Sequence, residues 1–340
     1  MSIKDKSTEY MYISARVRAI EATMPGREMI GRMIEAQDAQ SAAAIALEGG
    51  ILGSVEEASD PDRLDTVLSR RLKDALDIVE SDEGGRQVTP MIRLSYDCAN
   101  IKAALRCTPH GIDFSDLLFD VGSLPVQRYG EMAESSDFSS LSRNLAEAAE
   151  KAKTGYATTC DPLKIDLPLD RACFADMLSA AEKTGDSFTV DFVKTKIDMT
   201  NVMMLVRIVG MGKSGTTEGL ISDALIDGGY ISLDELKETV QSEEAGTPDM
   251  IARIAALASK RYPIVAEALS LGSENFENAC DSLIEAKLQE ARYIPFGIPI
   301  VLPFLCKLEY EIKNVRIILA GKAAGLSPER IARRVRGSYV

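Results

Sequence analysis

The sequence predicts an all-α protein built from three similar helical units. Three observations carry that expectation. Ala, Leu, Met, Glu, Lys and Arg dominate the 340 residues. Apolar residues recur at steps of three and four, while sustained two-residue alternation is hard to find. One short polar motif returns three times in the same relative place.

Taken in order, the first expected helix spans Tyr10 to Thr23. A second holds Leu94, Cys98, Ile101 and Leu105, and a third holds Val193, Ile197, Met204 and Ile208. The clearest runs from about Cys306 to Ala320, where Leu305, Leu308, Ile312, Val315 and Ile318 form a stripe, Glu309 and Lys313 pair outward, and Gly321 supplies a stop. Clusters of Pro, Gly, Ser and Asp place breaks at 81–90, 107–125, 154–168, 210–217, 227–232 and 242–249. The apolar run Tyr293–Cys306 is interrupted by Pro295, Gly297, Pro299 and Pro303, so an irregular segment is expected there rather than one regular helix. It is also too short to cross a bilayer, which takes about 20 apolar residues.

The motif reads acid-x-x-Asn-aliphatic-long side chain. It occurs as Asp97 to Lys102, Asp198 to Met203 and Glu311 to Arg316, with Asn100, Asn201 and Asn314 in register. Upstream of each lies an Asp expected to open an apolar helix: Asp65, Asp170 and Asp281. Downstream of the first two, Phe119-Asp120-Val121-Gly122-Ser123-Leu124 resembles Ile226-Asp227-Gly228-Gly229-Tyr230-Ile231. Matches in constant order imply a threefold internal repeat and a pseudo-threefold body. The units are expected at 1–125 with the N-terminal helix, 126–232, and 233–340 with the C-terminal helix packing near the N-terminus. An acid and an Asn at i and i+3 share one side of a helix, and a buried amide needs partners. Asp97, Asn100, Asp198, Asn201, Glu311 and Asn314 are therefore read as ties from helix to helix.

Composition narrows the function. The net charge of -13 disfavours nucleic acid as a partner, since a basic face supplies that affinity. His110 is the one histidine, and the six cysteines form no C-x-x-C pair, so no metal site and no catalytic or cofactor-binding constellation is expected. The opening MSIKDKSTEY lacks the apolar core of a signal peptide. Gly210-Met211-Gly212-Lys213-Ser214 tempts a phosphate-loop reading, but the position that loop reserves for its first glycine is Arg207, and a glycine-rich helix end accounts for it better. A nucleotide-binding enzyme using Gly210–Ser214 stands as the alternative function. The basic tail of Arg330, Arg333, Arg334 and Arg336 suits either a helix C-terminus or docking to an acidic partner.

With these repeats in view, the sequence resembles the C subunits of the A/V-type ATPases and ATP synthases, the family that includes the d subunit of the eukaryotic V-ATPase. The resemblance is carried by Tyr10-Met11-Tyr12-Ile13-Ser14-Ala15-Arg16-Val17-Arg18-Ala19 at the start. At the end it is carried by Glu309-Tyr310-Glu311-Ile312-Lys313-Asn314-Val315-Arg316-Ile317-Ile318-Leu319-Ala320-Gly321-Lys322 with Gly325-Leu326-Ser327-Pro328-Glu329. Met203 departs from the pattern, standing where the other two motifs carry Lys102 and Arg316. The resemblance implies a funnel-like arrangement of the three units and a non-catalytic central-stalk adapter. Its implied partners are the membrane proteolipid ring and the shaft proteins of D and F type, on the cytoplasmic face of the membrane, in a complex that moves protons or sodium. The run Tyr293–Cys306 would then either cap the third unit or turn Phe296 and Ile300 toward the ring, with Arg330, Arg333 and Arg334 as the other candidate contacts.

Overall fold

Strong helix formers give helices throughout the part of the chain that a computed structural model describes, residues 10–335 except 23, 25, 59, 212–216, 241–245, 295 and 296. Among the described residues every regular element is helical and none is a strand, as the sequence predicts. In chain order the α-helices are α1 (Met11–Glu21), α2 (Arg27–Glu35), α3 (Ala39–Glu48), α4 (Pro61–Glu80), α5 (Glu83–Arg86), α6 (Pro90–Cys107), α7 (Val126–Ser135), α8 (Arg143–Thr159) and α9 (Leu163–Thr184). They continue as α10 (Ser187–Gly210), α11 (Thr217–Ala224), α12 (Leu233–Val240), α13 (Thr247–Ser259), α14 (Pro263–Ser270), α15 (Ser273–Glu290), α16 (Ile298–Ala323) and α17 (Pro328–Ala332). Among the described residues no helix is long and apolar enough to cross a membrane.

The chain divides into two compact units. The first comprises the described residues of Met1–Arg93, Phe119–Val121 and Leu288–Val340. Its axis is α16, against which α1, α2, α3, α4 and α17 pack. The apolar stripe expected of this helix is real: Leu305, Leu308, Ile312, Val315 and Ile318 are all buried. They meet a second stripe on α4, where Leu64, Leu68, Leu72, Leu76 and Val79 are buried in turn. The first and last long helices thus share one core.

Two expectations about α16 need correction. The run Tyr293–Cys306 is not irregular throughout, because the helix begins at Ile298 and passes through both Pro299 and Pro303. Pro299 lies in the first turn, where an N–H would have no intrahelical acceptor. Pro303 forfeits a bond in the helix interior, a cost of about 3 kcal/mol. Full burial of Leu302, Phe304 and Leu305 around it returns about 1.5–3 kcal/mol each, so the helix survives. The stop is also later than Gly321. It falls at Gly325, whose φ of +68° is the left-handed conformation glycine adopts freely. There the Gly325 N–H donates to the Lys322 carbonyl at 3.0 Å and the Leu326 N–H to the Gly321 carbonyl at 2.9 Å, closing a Schellman motif.

The second unit comprises Leu94–Leu118 and the described residues of Gly122–Lys287. Its framework is a hairpin of α8 and α9, then α10 packed on α9 and on α11, α12 and α13. The break expected over 154–168 shrinks to Cys160–Pro162. Cys160 alone turns the chain, at φ +52°, its N–H donating to the Tyr156 carbonyl at 2.8 Å. Asp65, Asp170 and Asp281 do not open helices as the sequence suggested; they lie inside α4, α9 and α15.

Candidate functional site

Helical spacing places Asp97 and Asn100 on the buried side of α6, Asp198 and Asn201 on that of α10, and Glu311 and Asn314 on that of α16. These six are the buried carboxylates and carboxamides among the described residues. The structure does not gather them into one site. Asp97, Asn100, Asp198 and Asn201 lie in the second unit, and Glu311 and Asn314 in the first.

Two of the acids are clamps on loops. Asp97 accepts from the Ser123 N–H at 2.6 Å, the Ser123 hydroxyl at 2.7 Å and the Tyr129 hydroxyl at 2.5 Å. Asp198 accepts from the Tyr230 N–H and the Ile231 N–H, both at 3.1 Å, and from the Tyr262 hydroxyl at 2.6 Å. Ser123 and Tyr230 occupy the same place in the two loops that the sequence matched, so each clamp is an acid, a loop amide and a tyrosine. Asn201 adds a reciprocal pair, its Nδ2 donating to the Ile226 carbonyl and its Oδ1 accepting from the Ile226 N–H, each at 2.8 Å. Burial, then the neighbouring carboxylate, pushes the Tyr129 and Tyr262 hydroxyls well above the usual tyrosine range, so both stay donors. Burial also raises Asp198, against the opposing bonds from Tyr262 and the two loop amides.

The loop glycines follow from this geometry. A Cβ on Gly122 would stand 2.5 Å from Asp97 Oδ1 and 2.3 Å from the Tyr129 hydroxyl, and one on Gly229 would stand 2.1 Å from Asp198 Oδ1. Both loops approach so closely that only a hydrogen fits. Gly122→Ala and Gly229→Ala are each expected to destabilise the second unit by about 1–3 kcal/mol, the usual cost of overpacking. Urea unfolding checks this, and unchanged midpoints would show that the loops relax freely.

The third acid is different. Glu311 has Arg71 Nη2 3.1 Å from its Oε1 instead of loop amides. The contact is an ion pair of poor hydrogen-bonding angle: neither Glu311 oxygen nor Arg71 Nε has a hydrogen-bond partner. Burial pushes the Glu311 carboxyl up to about 7, with Arg71 pulling the other way. Arg71 also donates to the Gly50 carbonyl at 3.0 Å. Gly50 lies in Leu47-Glu48-Gly49-Gly50-Ile51-Leu52, which reads like the two clamped loops but precedes its acid in the chain.

The long side chain that ends the motif makes ion pairs. Lys102 reaches Asp170 at 2.6 Å within the second unit, and Arg316 reaches Asp65 at 2.5 Å within the first. Two of the three upstream Asp residues that the sequence singled out, Asp65 and Asp170, are thus acceptors for motif cations, which their position inside helices allows. Sequence reasoning does not find Tyr129, Tyr262 or Arg71. The two tyrosines lie 32 and 64 residues from their acids, at no common spacing.

The remaining candidates fall as follows. Arg330, Arg333 and Arg334 are exposed on and just after α17, and Arg336 lies outside the described residues. Ile300 is only 3% exposed, and Phe296 lies outside the described residues. Gly210 is the last residue of α10, whereas Lys213 and Ser214 also lie outside the described residues. His110 Nε2 sits 3.0 Å from the Tyr156 hydroxyl. No group of acids, cysteines and histidine suited to a metal occurs among the described residues. Three of the protein's own donors engage each of the Asp97 and Asp198 carboxylates, which suits support of a loop.

Fold and site together define an all-helical protein whose buried polar groups tie loops to helices. A family model described as ATP synthase (C/AC39) subunit matches residues 13–334, and the chain belongs to that family. It is 22% identical to the A-type ATP synthase C subunit of Methanocaldococcus jannaschii, over 95% of this chain and 85% of that one. It is 25% identical to the A-type ATP synthase C subunit of Thermococcus onnurineus, over 96% and 90%. The V-type ATP synthase C subunit of Thermus thermophilus is 23% identical, over 96% and 98%.

Proposed function

We propose that this protein is a non-catalytic central-stalk adapter of an A/V-type ATP synthase. In this reading it lies on the cytoplasmic face of the membrane, holding the proteolipid ring to the shaft proteins of D and F type, so that rotation couples ATP to proton or sodium movement. The observation that carries the reading is a match to the ATP synthase (C/AC39) family along nearly the whole chain. An adapter under torque needs rigid units and broad surfaces, and the buried acid clamps supply rigidity at the loops.

We further propose that the three units divide near residues 125 and 232 and are arranged as a pseudo-threefold funnel. Support comes from the equivalence of the Asp97 and Asp198 clamps. It also comes from the order of the two motif cations: Lys102 of segment 1–125 reaches Asp170 of segment 126–232, and Arg316 of segment 233–340 reaches Asp65 of segment 1–125. That order is cyclic.

The test is ion pumping by inverted membrane vesicles from cells with and without the chain. The expected result is that its loss abolishes ATP-driven ion uptake while the released soluble sector still hydrolyses ATP. Restoring the chain restores uptake. Uptake that persists undiminished without it overturns the adapter reading.

A further inference from the structure

A cavity of about 330 Å³ lies in the first unit between the end of α1, the turn Ala291–Tyr293 and the start of α16. That is the small end of the range for ligand-binding clefts, about 300–1,000 Å³. Its floor is apolar, with Ile300 and Pro303 of α16, and its rim is cationic, with Arg18, Arg292 and Lys307 against the single carboxylate of Glu21. On a chain of net charge -13, this is a local reversal of sign. Glu21 is already engaged, 2.9 Å from Arg18 and 3.6 Å from Lys307. Arg292 is exposed and has no ion-pair partner among the described residues. The first turn of the 26-residue α16 lies on the same wall and adds the positive end of its dipole.

We propose that this cavity receives an acidic, aliphatic peptide segment of a partner chain, an aliphatic side chain entering over Ile300 and a neighbouring carboxylate meeting Arg292. The proposal rests on the adapter reading for the existence of such a partner. The balance of charge selects a carboxylate over a phosphate, because Glu21 in the lining would repel a second negative charge. Selection of a peptide over a free metabolite comes from the lip. Tyr293, beside Arg292, is 89% exposed, and Arg18 holds their turn by donating to the Arg292 carbonyl at 3.5 Å. An exposed Tyr–Arg pair on a pinned turn is the residue choice of protein-contact hot spots. The surface thus extends past what a small molecule would cover.

The test uses the full chain with isotope-labelled methyl groups and two capped probes, acetyl-EELLE-amide and acetyl-QQLLQ-amide. The expected result is saturable movement of the Ile300 and Leu288 methyl signals by the acidic probe. Affinity should be roughly fivefold or more weaker for the glutamine probe, for Arg292→Glu and at high salt. Arg292 is exposed, so its reversal leaves the fold intact, and Tyr293→Ser provides a second variant expected to weaken binding. No saturable movement at Ile300, equal affinity for both probes, or indifference to Arg292→Glu overturns the proposal. So does binding to phosphatidylglycerol vesicles that depends on Arg292 while the acidic probe is ignored. Probe binding combined with ion uptake that survives loss of the chain supports this site and overturns the adapter reading alone. Uptake that needs the chain, with no probe effect at Ile300, overturns the site alone.

Discussion

Replacing Asp198 with alanine is expected to destabilise the second unit by about 3–5 kcal/mol, the cost of leaving several buried hydrogen-bonding groups without their charged partner. Two loop amides, Tyr230 and Ile231, and the Tyr262 hydroxyl all donate to this one carboxylate, which is fully buried. No other acceptor is placed to take the three donors together, and water would have to enter a site that now excludes it. Asp198→Asn should fall between wild type and alanine. It keeps one acceptor oxygen, and its amide nitrogen can donate to Tyr262, but a donor then faces one loop N–H. Tyr262→Phe removes a single bond and should cost about 1–2 kcal/mol. Hydrogen exchange gives the sharpest readout: amides of Tyr230 and Ile231 should lose protection in Asp198→Ala before the rest of the unit does. Unaltered protection there, with a stability loss below about 1 kcal/mol, would mean that the loop does not depend on the clamp.

How much of this is legible in the sequence depends on the range of each interaction. The apolar stripe of α16 and the burial of Asn100, Asn201 and Asn314 are readable, because helical periodicity is local and a repeated polar motif inside apolar helices calls for partners. The pairing of Asp97 with Ser123 and of Asp198 with Tyr230 is half readable through the matched loops, whose common glycine marks the close approach. Tyr129, Tyr262 and Arg71 are not readable. Each is fixed by tertiary packing between residues with no common separation, and nothing in their neighbourhoods distinguishes them. The α16 start at Ile298 escapes the sequence because local proline chemistry argues against a helix, while the burial of Leu302, Phe304 and Leu305 that offsets it is tertiary. The two-unit division lies beyond sequence reasoning as well, since nothing in the sequence marks the second unit as beginning at Leu94, inside α6.

Glu311 should make the first unit less stable as pH rises. Its carboxyl is raised by burial from the ordinary 4.5 to about 7 in the folded protein. Between those two values the folded state holds a proton that the unfolded state has released, so stability falls as pH increases through the interval and levels off above it. The full separation corresponds to about 3 kcal/mol, of which about 2 kcal/mol falls between pH 5 and pH 8. Arg71, 3.1 Å away, and Lys307 are the cations that oppose the shift. Glu311→Gln keeps the shape and removes the titration. Its stability relative to wild type should therefore rise by about 2 kcal/mol as pH goes from 5 to 8, measured by urea unfolding of each protein at both values. The absolute stability of the variant is a weaker guide, because Arg71 loses its ion partner, although its bond to the Gly50 carbonyl remains. The difference between the two pH values cancels that constant term. A difference of zero would show that Arg71 holds Glu311 ionised in the folded protein as readily as water does in the unfolded one. A difference of opposite sign would show that the pair behaves as a stabilising salt bridge.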